Sequence, residues 1–199
     1  MQMRFSTEVR QAEIVATALR LARESSPALI TTADIATAIG ITQGAVFKHF
    51  ATKDAIWLGA MRWVREILPQ TLQDAADQAA SPVDALAAMF HAQVEFIIAH
   101  PGVPRLIFHE LQQPADSAAK LEVRAVLQGY RKMLLGRLNQ SIQQKLVRQD
   151  VDPQAAATSF IGLIQGLVMQ SMLTGRTAAM RQPANAIFVL YRHGLGAAS

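Results

Sequence analysis

The sequence predicts an all-α protein in which an N-terminal three-helix domain with a helix-turn-helix joins a larger helical domain. Three observations lead there. Alanine and leucine dominate a chain whose residues are 51% hydrophobic, a composition that favours helix over strand. Apolar residues recur at helical spacing, and the prolines and glycines fall at the ends of those periodic runs. Residues 31–53, TTADIATAIGITQGAVFKHFATK, spell a capped helix, a glycine turn and a second short helix.

That stretch is readable residue by residue. Thr31 serves as an N-cap, with Asp34 three residues on, in a shortened capping box. Ile35, Ala36 and Ile39 then form one apolar face. Gly40 suits the left-handed position that ends a helix, because it has no Cβ to clash there. Ile41 anchors the turn and Thr42 caps the next helix. Within that helix Val46 and Phe50 lie four apart and pack back onto Ile35 and Ile39. Gln43, Gly44, Phe47 and Lys48 point the other way. This is the order of a helix-turn-helix, whose second helix enters the major groove of DNA. The competing reading is a solvated helix pair inside a bundle.

The remaining elements follow from their punctuation. Thr52 caps a long helix carrying Ile56, Met61, Val64 and Leu68, which Pro69 kinks or ends. Ser81-Pro82 opens another, a cap followed by proline in the first turn, which runs to about His100 before Pro101-Gly102 breaks it. A shorter helix covers 103–112 and stops before Pro114. A long one spans about 117–149. Asp152-Pro153 opens a helix ending near Gly175, and Pro183 introduces the last, through about Gly194. No flexible linker follows Thr52, so the long helix is expected to couple the two parts mechanically.

The outward face of the second short helix carries groups suited to a duplex. Gln43 can pair with an adenine edge, and Gly44 lets the backbone approach closely. Phe47 offers apolar surface to a thymine methyl group or a sugar. Lys48 reaches a phosphate or a guanine, while His49 and the threonines Thr31, Thr32 and Thr42 hydrogen-bond phosphate oxygens. Lys53, in the first turn of the next helix, stands near a phosphate beside N–H groups that favour anions.

In order and without gaps, Thr31, Ile35-Ala36, Ile39-Gly40, Thr42, Gly44, Phe47, His49-Phe50 and Lys53 resemble the DNA-binding signature of the tetracycline-repressor (TetR) family of bacterial transcriptional regulators. The first helix fits as well, with Ile14, Ala18, Leu21 and Ala22 as its inner stripe. Two departures stand out. The family usually has tyrosine where this chain has Phe47, which removes a phenol–phosphate hydrogen bond. The usual glycine after the first helix gives way to Glu24-Ser25-Ser26-Pro27. The specific match covers roughly the first quarter of the chain; beyond it, length and helical layout agree.

The formal charge of +4, from 19 basic and 15 acidic residues, suits a polyanion partner only modestly. Between Thr31 and Lys53, Lys48 and Lys53 face Asp34 alone, a net of +1. Between Lys120 and Arg148, seven basic residues face Glu122, which reads as the wet face of a long helix rather than a second nucleic-acid site. Cysteine is absent, so no disulfide or thiolate metal site is expected. His49, His91, His100, His109 and His193 form no HxxxH or HExxH pair, and His91 with Glu95 reads as a helix-surface pair. With no glycine-rich phosphate loop and no nucleophile elbow, neither a cofactor nor catalysis is expected. No uninterrupted apolar run reaches the roughly 18 residues of a membrane span. The N-terminus MQMRFSTEVRQ is too polar for a signal peptide, so a cytoplasmic protein with no membrane partner is expected.

The resemblance implies the rest. It divides the chain into residues 1–52, the DNA-binding domain, and 53–199, a helical ligand-binding and dimerisation domain. The last two long helices would pair with their copies in a homodimer. Phe160, Leu163, Leu167, Ile187, Phe188 and Tyr191 would supply apolar area there, beside Ala155, Ala156, Gly162 and Gly166; the alternative is that they fill the subunit's own core. A dimer is needed to reach operator half-sites roughly 34–36 Å apart. The middle helices would enclose a pocket for a small, largely apolar effector, lined by Met61, Phe90, Val94, Phe108, Leu111, Tyr130, Met133, Leu134, Gln165 and Met169. Gln165 and Tyr130 are the telling ones, because a polar tip on an apolar face needs a partner. Arg105 or Glu110 is a candidate for an effector's charged group, with surface exposure as the alternative. The function implied is a repressor that binds a palindromic operator in double-stranded DNA and is released by its effector. The rival class is a helical carrier of hydrophobic ligands, or an enzyme, with no DNA role.

Overall fold

A computed structural model describes residues 7–197. The start of the polar N-terminal stretch, to Ser6, and the terminal Ala198-Ser199 lie outside the described residues. Nine α-helices follow one another among those described: α1 (Thr7–Leu21), α2 (Thr32–Ala38), α3 (Gln43–Phe47), α4 (Lys53–Asp77), α5 (Pro82–Ala99), α6 (Gly102–Gln112), α7 (Ala118–Gln143), α8 (Pro153–Thr174) and α9 (Arg181–Gly194). A short 3-10 turn, Thr177–Met180, precedes α9.

Most of these helices start on a side chain that accepts one of their free N–H groups. Thr31, Thr42 and Asp152 cap α2, α3 and α8. Thr52 Oγ1 accepts from Ala55 N at 3.1 Å, Ser81 Oγ from Asp84 N at 3.1 Å, and Ser117 Oγ from Lys120 N at 2.9 Å. α8 ends as expected, on Gly175 in the left-handed region at φ +67°.

Two boundaries differ from expectation. α4 does not stop at Pro69 but continues to Asp77. Proline removes a single helical hydrogen bond, and Leu68 and Leu72 on either side are buried, which holds the helix together through the gap. α7 ends at Gln143, six residues early. Its stop is Lys145, left-handed at φ +56°, with Leu146 N donating back to Ser141 O at 2.9 Å. No glycine marks that stop. α9 also starts two residues before Pro183.

The chain forms two compact units. The first comprises Met1–Glu66 and His100–Ala125, and the second Ile67–Ala99 and Val126–Ser199. In the first, Ile14, Ala18, Ile35, Val46, Ile56 and Met61 are fully or almost fully buried. The start of α6 presses on the end of α1 so closely that a Cβ on Gly102 would overlap the Leu19 carbonyl. Arg62 and Arg65 on α4 both pair with Glu122 on α7, the latter at 2.8 Å.

The second unit is built around aromatic rings. Phe160 meets Phe90 edge-on at 5.4 Å, Tyr191 at 5.6 Å and Tyr130 at 6.2 Å. Edge-to-face pairs of this kind add about 0.5–1.5 kcal/mol each beyond simple burial. Helices α5 and α8 are long and apolar enough by length and composition to cross a membrane. Here their apolar sides carry Leu86, Phe90, Phe160 and Ile164 into this core.

The basic run along α7 is largely tied down. Lys120 is buried and donates to Gln113 O, Arg124 pairs with Asp116 at 2.7 Å, Arg131 bonds Gln154 and Thr158, and Arg137 pairs with Asp77 at 3.3 Å. Each charge fastens α7 to a neighbouring segment, a role that basic spacing alone does not reveal.

Candidate nucleic-acid interface

The helix-turn-helix assembles from its caps. Thr31 Oγ1 accepts from Asp34 N at 3.1 Å, and Thr31 N donates to Asp34 Oδ2 at 2.8 Å, so the capping box is complete. The bonds from Thr31, side chain first, hold the Asp34 carboxyl below its ordinary pKa. Gly40 takes φ +69°, a region where a Cβ would be strained, and Ile41 N then closes the turn onto Ala36 O at 3.0 Å. Thr42 Oγ1 accepts from Ala45 N at 3.2 Å and starts α3.

Within α3 Val46 is fully buried, while Gln43, Gly44, Phe47 and Lys48 are exposed together. Phe47 keeps 45% of its surface in solvent. α1 supports the far end of α3, since Gln11 Nε2 donates to His49 O at 3.1 Å. Thr31 and Thr42 are exposed as well, although their hydroxyls are engaged as caps.

Two of the expected contact residues, Thr32 and Lys53, are committed elsewhere, and a third, His49, is half-buried. Thr32 is buried, and its Oγ1 accepts from Gln43 Nε2 at 2.8 Å. The His49 Nδ1 is buried with no protein partner, so that nitrogen faces no phosphate. The Lys53 ammonium points to the loop after α1, donating to Ala28 O at 2.8 Å and Pro27 O at 3.4 Å. That loop is the segment where glycine gives way to Glu24-Ser25-Ser26-Pro27. The Lys53 cation thus ties that loop to the start of α4 through two carbonyl oxygens.

A sequence profile of "Bacterial regulatory proteins, tetR family" matches residues 14–59, and one of "Tetracyclin repressor-like, C-terminal domain" matches residues 113–187. Together they span more than half of the chain. The chain belongs to the tetracycline-repressor family. It is a DNA-binding transcriptional regulator.

Relatives agree with that placement. The HTH-type transcriptional repressor KstR2 of Mycobacterium tuberculosis is 28% identical over 143 residues, 72% of each protein. The solved structure of that ketosteroid transcriptional regulator has a TM-score of 0.78 at 22% identity, covering all of this chain and 98% of that one. The fatty acid degradation regulator FadR of Bacillus halodurans has a TM-score of 0.82 at 16% identity, over 95% of this chain and 97% of that one. FadR of Bacillus subtilis, in complex with stearoyl-CoA, has a TM-score of 0.77 at 17% identity, over 90% and 96%.

The residues expected to line an effector pocket of this TetR-family regulator separate by unit. In the first, Met61 is buried, Phe108 half-buried and Leu111 exposed. Arg105 is half-buried, whereas Glu110 is buried and accepts from Ser117 Oγ at 2.6 Å, which makes it part of the α6–α7 connection. In the second, Phe90, Val94, Tyr130 and Leu134 are buried and Met133 is half-buried. Gln165 and Met169 face solvent instead, because the buried stripe of α8 runs through Phe160, Ile164, Leu167 and Val168. An exposed amide needs no protein partner, so Gln165 loses its special standing.

The polar group that takes its place is Gln93 on α5, which sequence reading missed; its side chain is buried and its Oε1 has no partner. The Tyr130 hydroxyl is buried and unpartnered too, and burial pushes its pKa well up, keeping it a neutral donor. Of the expected dimer residues, Phe160, Leu167, Phe188 and Tyr191 fill the second unit's own core, while Leu163 and Ile187 are half-buried. The apolar side chains left bare on those helices are Met169 and Leu173 on α8 and Val189 and Leu190 on α9. Glu95, read beside His91, forms a two-bond pair with Arg181 instead.

Proposed function

We propose that this regulator is a repressor that binds a palindromic operator as a homodimer and leaves it when a largely apolar effector enters the second unit. The observation that carries the DNA half is the joint exposure of Gln43, Gly44, Phe47 and Lys48 on a helix capped at its start and braced at its end. Residues 1–52 do the reading; residues 53–199 bind the effector and pair the subunits, and the whole acts in the cytoplasm without catalysis. Leu173 and Leu190, each more than 70% exposed, supply the pairing face with Met169 and Val189. Residues 162, 166, 169 and 173 share one side of α8, where Gly162 and Gly166 let a second helix approach closely.

The effector half rests on Tyr130 and Gln93. An unmade hydrogen bond in an apolar core is a standing cost, and a ligand with an oxygen for Tyr130 and a donor for Gln93 removes it. An acyl-coenzyme A has an apolar body, a thioester carbonyl to accept from Tyr130 and pantetheine amide N–H groups to donate to Gln93, and FadR of Bacillus subtilis carries stearoyl-CoA. Such a ligand shifts the protein off DNA only as far as it prefers the released conformer.

Selection of bound sites from a random duplex library tests the reading. Recovery of a palindrome whose binding weakens with salt, and is undone by stearoyl-CoA, is the expected result. Failure to retain any duplex at low salt would overturn the DNA half; an operator complex indifferent to acyl-CoA of every chain length would overturn the effector half.

A further inference from the structure

We propose that Gln11 of α1 is a positioning residue for DNA reading: its amide holds the end of α3 and so fixes where Phe47 stands. The inference rests on the DNA-reading face proposed above. α3 has five residues, too few for its own hydrogen bonds to hold it, so contacts along it and at its ends must place it. The Thr42 cap sets its start, and Val46 anchors its middle in the core.

At the far end the last carbonyls of a helix lack donors from their own backbone. Gln11 Nε2 supplies one, donating to His49 O at 3.1 Å from 38 positions away. Only one arrangement makes this bond. A backbone carbonyl accepts and never donates, so the Gln11 amide must present its NH2 group and not its oxygen.

α1 meets the same segment again at Val15, one helical turn on. A Cβ on Gly59 of α4 would stand 3.2 Å from the Phe50 ring and 3.3 Å from Val15, so both lie over that glycine. Such apolar packing sets how deep Phe50 sits, but it is non-directional. The bond to His49 O adds the direction. Without it, residues 47–49 can turn about Val46 and Phe50, and an operator would have to order them on binding. Phe47 depends on this most, because its stiff side chain follows the backbone, whereas the long flexible stem of Lys48 can compensate. Phosphate contacts on a random duplex tolerate the looseness; base-edge contacts do not.

The ratio of affinities for a selected operator and for random duplex supplies the test. Gln11→Met keeps the length of the side chain and deletes the donor. It should lower the ratio about fivefold, the worth of one neutral hydrogen bond, through operator affinity and with an unchanged salt slope. Gln11→Lys restores a donor of similar reach, and its ratio should lie within about twofold of native, because the added charge acts on both duplexes. In a Phe47→Ala protein, Gln11→Met should lower the ratio by about twofold or less, since the ring it positions is gone. Four results overturn the proposal and leave DNA reading intact: an unchanged ratio in Gln11→Met, an equal fall on both duplexes, a ratio as low in Gln11→Lys, or an undiminished fall in Phe47→Ala. The last would mean that Gln11 touches DNA itself. Absence of any sequence preference in the native protein overturns the reading on which the proposal stands.

Discussion

Tyr130 and Tyr191 offer a paired experiment, because the same substitution should move stability in opposite directions. Both phenols are buried in the second unit, and burial pushes both pKa values up. Tyr191 Oη donates to Ala156 O at 3.0 Å, whereas Tyr130 Oη has no partner. Tyr191→Phe removes that bond while Ala156 O keeps its place in the ladder of α8, and should destabilise by about 1 kcal/mol. Tyr130→Phe removes a group whose unmade bond costs about 1–3 kcal/mol, offset in part by the small void left behind, for a net gain of roughly 1 kcal/mol. At this chain length that is a rise in melting temperature of about 2–4 °C. The gain should come with a functional loss. If the hydroxyl donates to an effector oxygen, its removal weakens effector binding by about two- to tenfold while effector-free DNA affinity stays unchanged. Thermal unfolding gives the first number, and anisotropy of a labelled operator titrated with acyl-CoA gives the second. A melting temperature that falls in Tyr130→Phe, with an unchanged release midpoint, would refute the reasoning, since the hydroxyl would then be a satisfied structural group.

The other perturbations separate roles within each unit. Lys48→Ala should reduce the slope of log affinity against log salt by about one, while Lys53→Ala should leave the slope alone and loosen the loop at 24–30, visible as faster amide exchange there. Gly102→Ala sets a methyl group against a backbone carbonyl that cannot rotate away, and should cost about 1–3 kcal/mol in chemical denaturation. Glu122 lies below its ordinary pKa, chiefly through its hydrogen bond from Arg65, so its contribution to stability is present above the unfolded carboxyl's pKa and is lost as pH falls through the lowered value. Glu122→Gln should therefore flatten the acid limb of the stability–pH curve, and an unaltered limb would remove the Arg62–Arg65–Glu122 cluster from it. Leu190→Asp should halve the mass measured by light scattering while the far-ultraviolet helix signal persists.

What could be read in advance was local. Thr31, Thr42, Ser81 and Asp152 act on N–H groups two or three residues away, so their caps are visible in sequence order, and Gly40 and Gly175 mark turns whose left-handed backbone nearly dictates glycine. The left-handed Lys145 was hidden because lysine has none of glycine's freedom in that region, although the bond from Leu146 N to Ser141 O closes the helix there. Side-chain commitments were hidden because their partners lie far along the chain. Lys53 bonds carbonyls 25 and 26 residues away, and Gln43 bonds a hydroxyl 11 residues away. Helical phase was legible only to about one residue, which suffices to place Val46 inside and Lys48 outside but not to separate Gln165 from Ile164 on α8.

These displacements change the picture of the interface itself. With Lys53 drawn into the loop and His49 half-buried, Lys48 remains as the exposed cation between Thr31 and Lys53. Attraction to phosphate from this stretch is then weak, and discrimination must come from side chains already set in place: Phe47, held out at the end of α3, and Gln43, held by Thr32. Such an interface binds random DNA feebly and shows its affinity only where shape and base chemistry fit. A repressor of that kind is also easily dislodged, because a small change in helix position forfeits directional contacts that bulk charge would have tolerated. The weak charge of the reading face and the release by ligand are, on this argument, two consequences of the same design.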